Sequence, residues 1–383
     1  MAIQIKDLLS LNLFKSAVIV SGKNGISNEI KRVNFADCPI VDDIYDKNLV
    51  KQGDIFISSL YIVKNSTDKM FKLIDFCIKS ESCGMFVINE YIKKLPDKII
   101  ELSNGNNFPI ILIDADMPYA EIIKTVTEMI FLEQSNVISE MRLEKLLNKN
   151  ITTNEVIYLA KLLNSNFKKN YASIYINTDN FTPGKNHLIK TNLKNLTRCE
   201  LLRYKKGSIL IVNFNIISEF ISTVNYIKNL VDSYKDTYYI GISNSFSNIK
   251  DFNLCIKQCI SSFEIAKIID GNVVYYKDLN VYKILYPLID TIYLNDFYNE
   301  IFIPIKKYDD YYNADLIKTI NTYFENDGDY KKTSLKLHQH ENTIRYRILK
   351  AKKILNLEHN HIKFIEQMSI ALKINKLKNN KKY

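Results

Sequence analysis

The sequence predicts an α/β chain of several domains that ends in an all-α region. Three observations carry this expectation. The chain has 383 residues, more than one core usually organises, so two or three domains are expected. Short apolar runs of strand length alternate with stretches of helical periodicity up to about residue 277. From residue 278 onward the pattern is helical throughout, apart from turns near Pro304 and Gly328.

Residues 1–118 read as a mixed α/β domain. Ile5 to Phe14 is apolar at helical spacing, and Gly53 to Ser58 and Gly84 to Ile88 are strands, each introduced by a glycine turn. Between them, Lys69 to Lys79 places Met70, Phe71, Ile74 and Ile78 on one side of a helix. Phe108 to Asp114 is a further strand, and the alternation suggests a partly parallel sheet. Residues 119–150 follow as one or two connecting helices: Tyr119 to Leu147 contains neither Pro nor Gly. Its apolar residues, among them Ile123, Val126, Ile130, Val137, Ile138 and Met141, fit either a dimerising helix or a helix packed within the chain.

Residues 151–277 form a second α/β segment. Tyr171 to Asn177 alternates like a strand, and Leu201 to Tyr204 and Ser208 to Phe214 flank a hairpin turn at Lys205-Lys206-Gly207. Ile216 to Tyr234 and Leu254 to Ile269 read as helices, with strands at Tyr238 to Ser243 and Val273 to Tyr276. The order strand–helix–hairpin–helix–strand–helix–strand is that of nucleotidyl-cyclase-like domains. A catalytic version needs a Gly-Gly-[Asp/Glu]-Glu-Phe hairpin, whose carboxylates hold the metal of the triphosphate. The turn Tyr204-Lys205-Lys206-Gly207-Ser208 has no carboxylate, so the domain is a degenerate form without catalysis, and binding of a nucleotide without turnover stays open.

The last segment, 278–383, carries the clearest constellation, at about 315–372. Leu316, Ile317, Ile320, Tyr323 and Phe324 share one helical face, and that helix stops at Asn326-Asp327-Gly328. A short helix from Tyr330 to Leu337 follows. After a break at His338-Gln339-His340, a longer helix runs from about Glu341 to Leu355, with Ile344, Ile348, Ala351 and Leu355 as its apolar stripe. Two helices with a small residue, Ser334, at the crossing are the layout of a helix-turn-helix. At about 100° per residue from Ile344, the opposite face presents Asn342, Arg345, Tyr346, Leu349 and Lys353. Amide and guanidinium groups near a helix N-terminus read adenine and guanine edges in the major groove. Lys331, Lys332 and Thr333 open the first helix, where phosphate contacts are made. Charge agrees: residues 315–383 hold 15 Lys+Arg and 7 Asp+Glu, a net +8, which leaves +2 of the total +10 for the preceding 314. Lys373 to Lys382 alone reads as a solubilising tail.

Thr333-Ser334-x-x-Leu337, followed by His340-Glu341-Asn342-Thr343-Ile344-Arg345-Tyr346-Arg347, resembles the C-terminal signature of PucR-type (purine catabolism regulator-like) transcription regulators. One position departs from it: the usual apolar residue between the Leu and the His is Gln339. Less specific likenesses lie at Ile5-Lys6-Asp7-Leu8-Leu9, Gly53 to Ser58, Leu95-Pro96 and Phe108 to Ile113, which look like the family's sensory domain. Tyr239 to Ser243 and the Cys259 to Ala266 helix resemble its cyclase-like middle domain. The resemblance implies double-stranded DNA as partner, a small-molecule effector of unknown identity sensed by the N-terminal domain, and action as a homodimer or higher homo-oligomer. It adds His340, Thr343 and Arg347 to the DNA-binding residues, with Arg347 placed by angle closer to the helix–helix or phosphate side. A different class of function, a metabolite- or nucleotide-binding regulator acting through a protein or RNA partner, is the alternative reading.

Other chemistry finds little support. His338/His340 and His359/His361 alternate, pointing apart on a helix, and no Cys or carboxylate cluster joins them, so no metal is expected. Ser21-Gly22-Lys23-Asn24 lacks phosphate-loop spacing, and no catalytic residue or cofactor is assigned. The cysteines Cys38, Cys77, Cys83, Cys199, Cys255 and Cys259 have no CxxC spacing. With no signal-peptide layout at the start and no apolar run near the ~20 residues of a bilayer span, a cytoplasmic, non-membrane protein with reduced thiols is expected.

Overall fold

A computed structural model describes residues 3–37, 50–178, 199–233, 237–269 and 271–380. The chain divides into two compact units, one of residues 1–171, 177–237 and 247–253 and the other of 172–176, 238–246 and 254–383.

The first unit begins with α1 (Ile5–Leu9), β1 (Val18–Ser21), β2 (Arg32–Phe35), β3 (Asp54–Ser58), α2 (Thr67–Lys79), β4 (Gly84–Ile88), α3 (Asp97–Gly105) and β5 (Ile110–Ile113). They form a five-stranded sheet in the order β1-β5-β4-β3-β2, with β2 to β5 parallel and β1 antiparallel to β5. The expected Ile5–Phe14 helix is shorter, because a 3₁₀ turn at Asn12–Phe14 ends it. The strands β3 and β4 are buried along their whole length, as strands covered on both faces must be. On one face lie α2 and α3, through Met70, Leu73, Ile74 and Ile99. On the other lie α1 and the start of α4 (Tyr119–Leu147), through Ile5, Leu8, Ile122 and Val126.

The connecting region is one 29-residue helix, α4. It packs on α5 (Thr153–Leu163), whose Thr152–Glu155 capping box satisfies its first turn. The expected hairpin is present as β7 (Cys199–Tyr204) and β8 (Gly207–Phe214), with Lys205 at φ 51° in the turn. A nearly buried ion pair fastens it to α4: Arg203 Nη1 donates to both Glu133 carboxylate oxygens at 2.5 Å. The helix α6 (Ile217–Ser233) packs on β8. The helix expected between the strand and the hairpin, the end of the expected Ile216 to Tyr234 helix, and Cys38 lie outside the described residues.

In the second unit, the central part of β6 (Asn170–Thr178) lies beside β9 (Tyr238–Ile242), since Ser243 N donates to Ser173 O. The strand β10 (Val273–Tyr275) is parallel to β9. The helix α7 (Phe252–Ala266) crosses β9 closely at Gly241, where an added Cβ would stand 2.2 Å from Cys259 O and Phe263 N. Then come α8 (Tyr282–Leu285), α9 (Ile292–Tyr312), α10 (Leu316–Glu325), α11 (Tyr330–Leu337), α12 (Glu341–Ile354) and α13 (His361–Asn380). The turn expected near Pro304 is absent. The helix α9 continues through it because Ile301, Phe302 and Ile305 anchor both sides in the core, outweighing one lost backbone bond.

Candidate nucleic-acid interface

The interface is built on three short helices fixed by local chemistry. The Asp309 carboxylate receives Leu316 N and Ile317 N at 2.6 and 2.7 Å and so caps α10 from outside. The chain leaves α10 through Asp327 and Gly328, both at positive φ, and Gly328 N returns to Tyr323 O. Asp329 then caps α11, accepting from Lys332 N at 3.0 Å, and these backbone N–H groups hold its carboxyl below the usual range. The helix ends at His338 in the left-handed region (φ 51°), with Gln339 N bonded to Ser334 O at 3.0 Å. The Gln339 side chain is exposed, so a polar residue is accommodated at the one position that departs from the signature. His340 caps α12, its Nδ1 accepting from Asn342 N at 3.1 Å.

Ile344, Ile348 and Ala351 are buried against Leu316, Ile320 and Tyr323 of α10 and Phe364, Met368 and Ala371 of α13. Arg347 adds a polar bolt, donating to Thr319 Oγ1 at 3.1 Å and Asp315 Oδ2 at 3.2 Å. With these inward positions fixed, Asn342, Arg345, Tyr346, Leu349 and Lys353 are exposed on α12, as are Lys331 and Lys332 on α11 and His340 between them. Thr343 is half-buried. Two assigned side chains face elsewhere. Thr333 is fully buried and its hydroxyl donates to Asp329 O at 2.6 Å, so it packs the helix crossing and is not free for phosphate. Arg347 is mostly buried and committed to α10.

Arg345 is held ready by two weak contacts. Its guanidinium meets Glu341 Oε1 at 2.5 and 3.0 Å and stacks over the Tyr330 ring, 4.3 Å from the centroid. Both Arg345 and Glu341 are substantially exposed, so this pair is worth little and does not compete with a base contact. Tyr330 in turn lies 4.9 Å from the Tyr323 ring, and burial pushes the Tyr323 phenol well above its ordinary value. Spacing along the chain does not single out Tyr330, which is 15 residues from Arg345, or Leu335, which is exposed on α11.

Among the described residues, no group of three or more His, Cys, Asp or Glu is placed to hold a metal ion, and no helix is long and apolar enough to cross a membrane. Among the described residues, Cys77, Cys83, Cys255 and Cys259 are buried thiols outside any disulfide, and Cys199 is half-buried.

A model of the purine catabolism regulatory protein-like family (PucR) matches residues 7–130, and a model of the PucR C-terminal helix-turn-helix domain matches residues 316–374. The Purine catabolism regulatory protein of Bacillus subtilis (strain 168) is 26% identical over 133 residues, 34% of this chain and 24% of that protein. The chain thus spans about a quarter of the length of that relative. The crystal structure of a Regulator of Polyketide Synthase Expression from Bifidobacterium adolescentis aligns with a TM-score of 0.31 at 14% identity, covering 63% of this chain and 99% of that one.

Proposed function

Because the chain belongs to the PucR-type family of purine catabolism regulatory protein-like regulators, we propose that it is a sequence-specific DNA-binding transcription regulator responding to a small metabolite. The observation that carries this reading is α12: a capped helix, locked on its apolar side, that exposes an amide, a guanidinium and a phenol along its first turns. Asn342, Arg345 and Tyr346 enter the major groove and meet base edges. Lys331, Lys332, His340, Thr343 and Lys353 contact the phosphates on either side. Arg347 sets the angle of α12 against α10, and Thr333 fills the crossing. The middle segment, with its carboxylate-free hairpin, acts as a cyclase-like regulatory domain without turnover.

The regulator works as a homodimer, and α4 and α5 supply its contact face. Phe131, Val137, Ile138 and Met141 on α4 and Tyr158 and Leu162 on α5 are 41–65% exposed. The two helices meet side by side, where Arg142, one turn beyond Ile138, donates to Leu162 O. This apolar face amounts to roughly 600 Å² per chain, so a two-fold pairing buries about 1,200 Å², enough for a specific interface. Sedimentation of the full chain tests it: a dimer is expected, with Val137→Glu and Met141→Lys together giving a monomer. A dimer that survives both substitutions overturns this face.

Electrophoretic retardation tests the DNA reading. The full chain is expected to retard DNA from upstream of its own coding sequence at moderate salt, in preference to a scrambled duplex. Equal retardation of both, or retention of an RNA of the same sequence alone, overturns it.

A further inference from the structure

The carboxyl ends of β2, β3 and β4 carry a second cluster that DNA binding does not use. In an open α/β sheet, ligands settle outside the carboxyl ends of the strands, where the chain changes face. Here α2 and α3 cover one face, and after β5 the chain crosses to the other as α4. At that edge the Asp37 carboxylate accepts from Ser58 Oγ at 2.8 Å, Ser59 N at 3.1 Å and Tyr119 Oη at 3.1 Å, joining the ends of two strands to the first residue of α4. The Tyr119 phenol is pushed up to about 12 by burial and by the nearby Asp37, so it stays protonated and donates. Leu60, buried and non-glycine, sits at φ 52°, a left-handed conformation of the kind that clusters at ligand sites. This turn brings Tyr61 against Tyr91, at 4.7 Å between centroids, in the loop after β4.

Three features define what would bind. The Tyr61 and Tyr91 rings are about half exposed, 51% and 45%, and already attract an ammonium: Lys64 Nζ lies 3.8 Å from the Tyr61 centroid and 5.1 Å from that of Tyr91. Glu90 is exposed beside them, its carboxylate raising the Tyr91 phenol above the ordinary value, and the neighbouring Asn89 Oδ1 is buried with no hydrogen-bond partner among the described residues. The positive end of the α4 dipole is answered by Asp116 just before the helix and Glu121 in its first turn. Aromatic faces, acceptors and negative charge together select a cation with N–H donors.

We propose that this edge is the effector site of the N-terminal unit and that it takes a small organic cation, an amine or guanidinium compound, which displaces the Lys64 ammonium from the tyrosine pair. The inference rests on the reading that this unit senses a metabolite. The rings would flank the cationic group, with Glu90 and the orphan amide oxygen of Asn89 receiving its N–H groups.

Calorimetry on the full chain tests it, with n-butylguanidinium and n-butylammonium as probes and butyrate and butyramide as controls. The cationic probes are expected to bind saturably and the controls not. Tyr61→Ala is expected to weaken binding about tenfold. Glu90→Gln should weaken it too, and Lys64→Gln should tighten it by removing the resident cation. All three positions are exposed, and matching thermal melts will confirm that the variants remain folded. Cationic probes that bind no better than butyramide, or affinities untouched by Tyr61→Ala and Glu90→Gln, overturn the proposal. So does preferential binding of butyrate that disappears in Lys64→Gln, which would show an anion pairing with the lysine. Retardation of DNA by the same preparations is read separately, so failure of this site is distinguishable from failure of the regulator reading.

Discussion

In the C-terminal region a recognition surface is laid along one stretch, residues 330–354, in which two helices and the turn between them supply every outward group. At the carboxyl edge of the N-terminal sheet, the groups come from separate loops after β2, β3 and β4 and from the start of α4. The first surface is basic and convex on helices whose inner faces are fully packed. The second is aromatic and acidic, on loops whose geometry depends on the sheet beneath. The difference teaches where each site's rigidity originates. The helix-turn-helix depends on a small apolar stripe, and the sheet edge depends on strand pairing and on buried polar anchors. Damage to one anchor should therefore disable one site and spare the other.

The largest effect is expected from Ile344→Ala, which removes the centre of the α12 stripe. It should destabilise the C-terminal helices by about 2–5 kcal/mol and abolish DNA retardation, while probe binding at the sheet edge is unchanged in calorimetry. Loss of both would show that the two surfaces share one cooperative core.

The counterpart at the sheet is Asp54, which is fully buried at the start of β3. Burial alone would raise its carboxyl. The bidentate Arg32 guanidinium (2.8 and 2.7 Å), Lys51 N and Asn34 Nδ2 outweigh that and hold it below the ordinary range. A depressed folded value means that the stabilisation is present above the unfolded value and is lost as pH falls through the folded one. Asp54→Asn should thus cost about 2–3 kcal/mol at pH 7. Its difference from the native chain should narrow below about pH 4 in denaturant melts followed by circular dichroism. A difference that stays constant down to pH 2 would remove the ion pair from the account.

Lys332→Ala should have the smallest effect. Removing one phosphate-binding charge from α11 weakens binding to all DNA sequences alike and lowers the slope of log affinity against log salt by about one. A weakening confined to one sequence would exchange the roles given to α11 and α12.

The same contrast decides what the sequence can reveal. The α12 stripe recurs at four and three residues, so periodicity alone separates buried Ile344 and Ile348 from exposed Arg345 and Tyr346. Thr333 resembles a phosphate-binding residue in sequence because it follows two lysines. The i, i+3, i+4, i+7 rule applied to Tyr330, Thr333, Ser334 and Leu337 places it inward, where the structure has it. In the sheet, the fully buried strands β3 and β4 are legible as continuous apolar runs. The outer strand β2, Arg32-Val33-Asn34-Phe35, carries no such run, and the outer strand β1, Val18-Ile19-Val20-Ser21, is apolar but too short for its period to separate strand from helix, so each escapes detection by periodicity. So does the tyrosine pair: Tyr61 and Tyr91 are 30 residues apart and meet only because β3 and β4 are parallel neighbours. A site written along one helix can be read by angle, whereas one written across strand ends needs the register first.

The central claim, that α12 reads DNA sequence through its exposed first turns, is tested most directly by the ratio of affinities for the upstream duplex and a scrambled duplex, measured for the native chain and for Arg345→Ala at one salt concentration. The native chain is expected to prefer the upstream duplex and Arg345→Ala to lose ~1–3 kcal/mol of that preference, with scrambled-duplex binding nearly unchanged. An unaltered ratio in Arg345→Ala would contradict it.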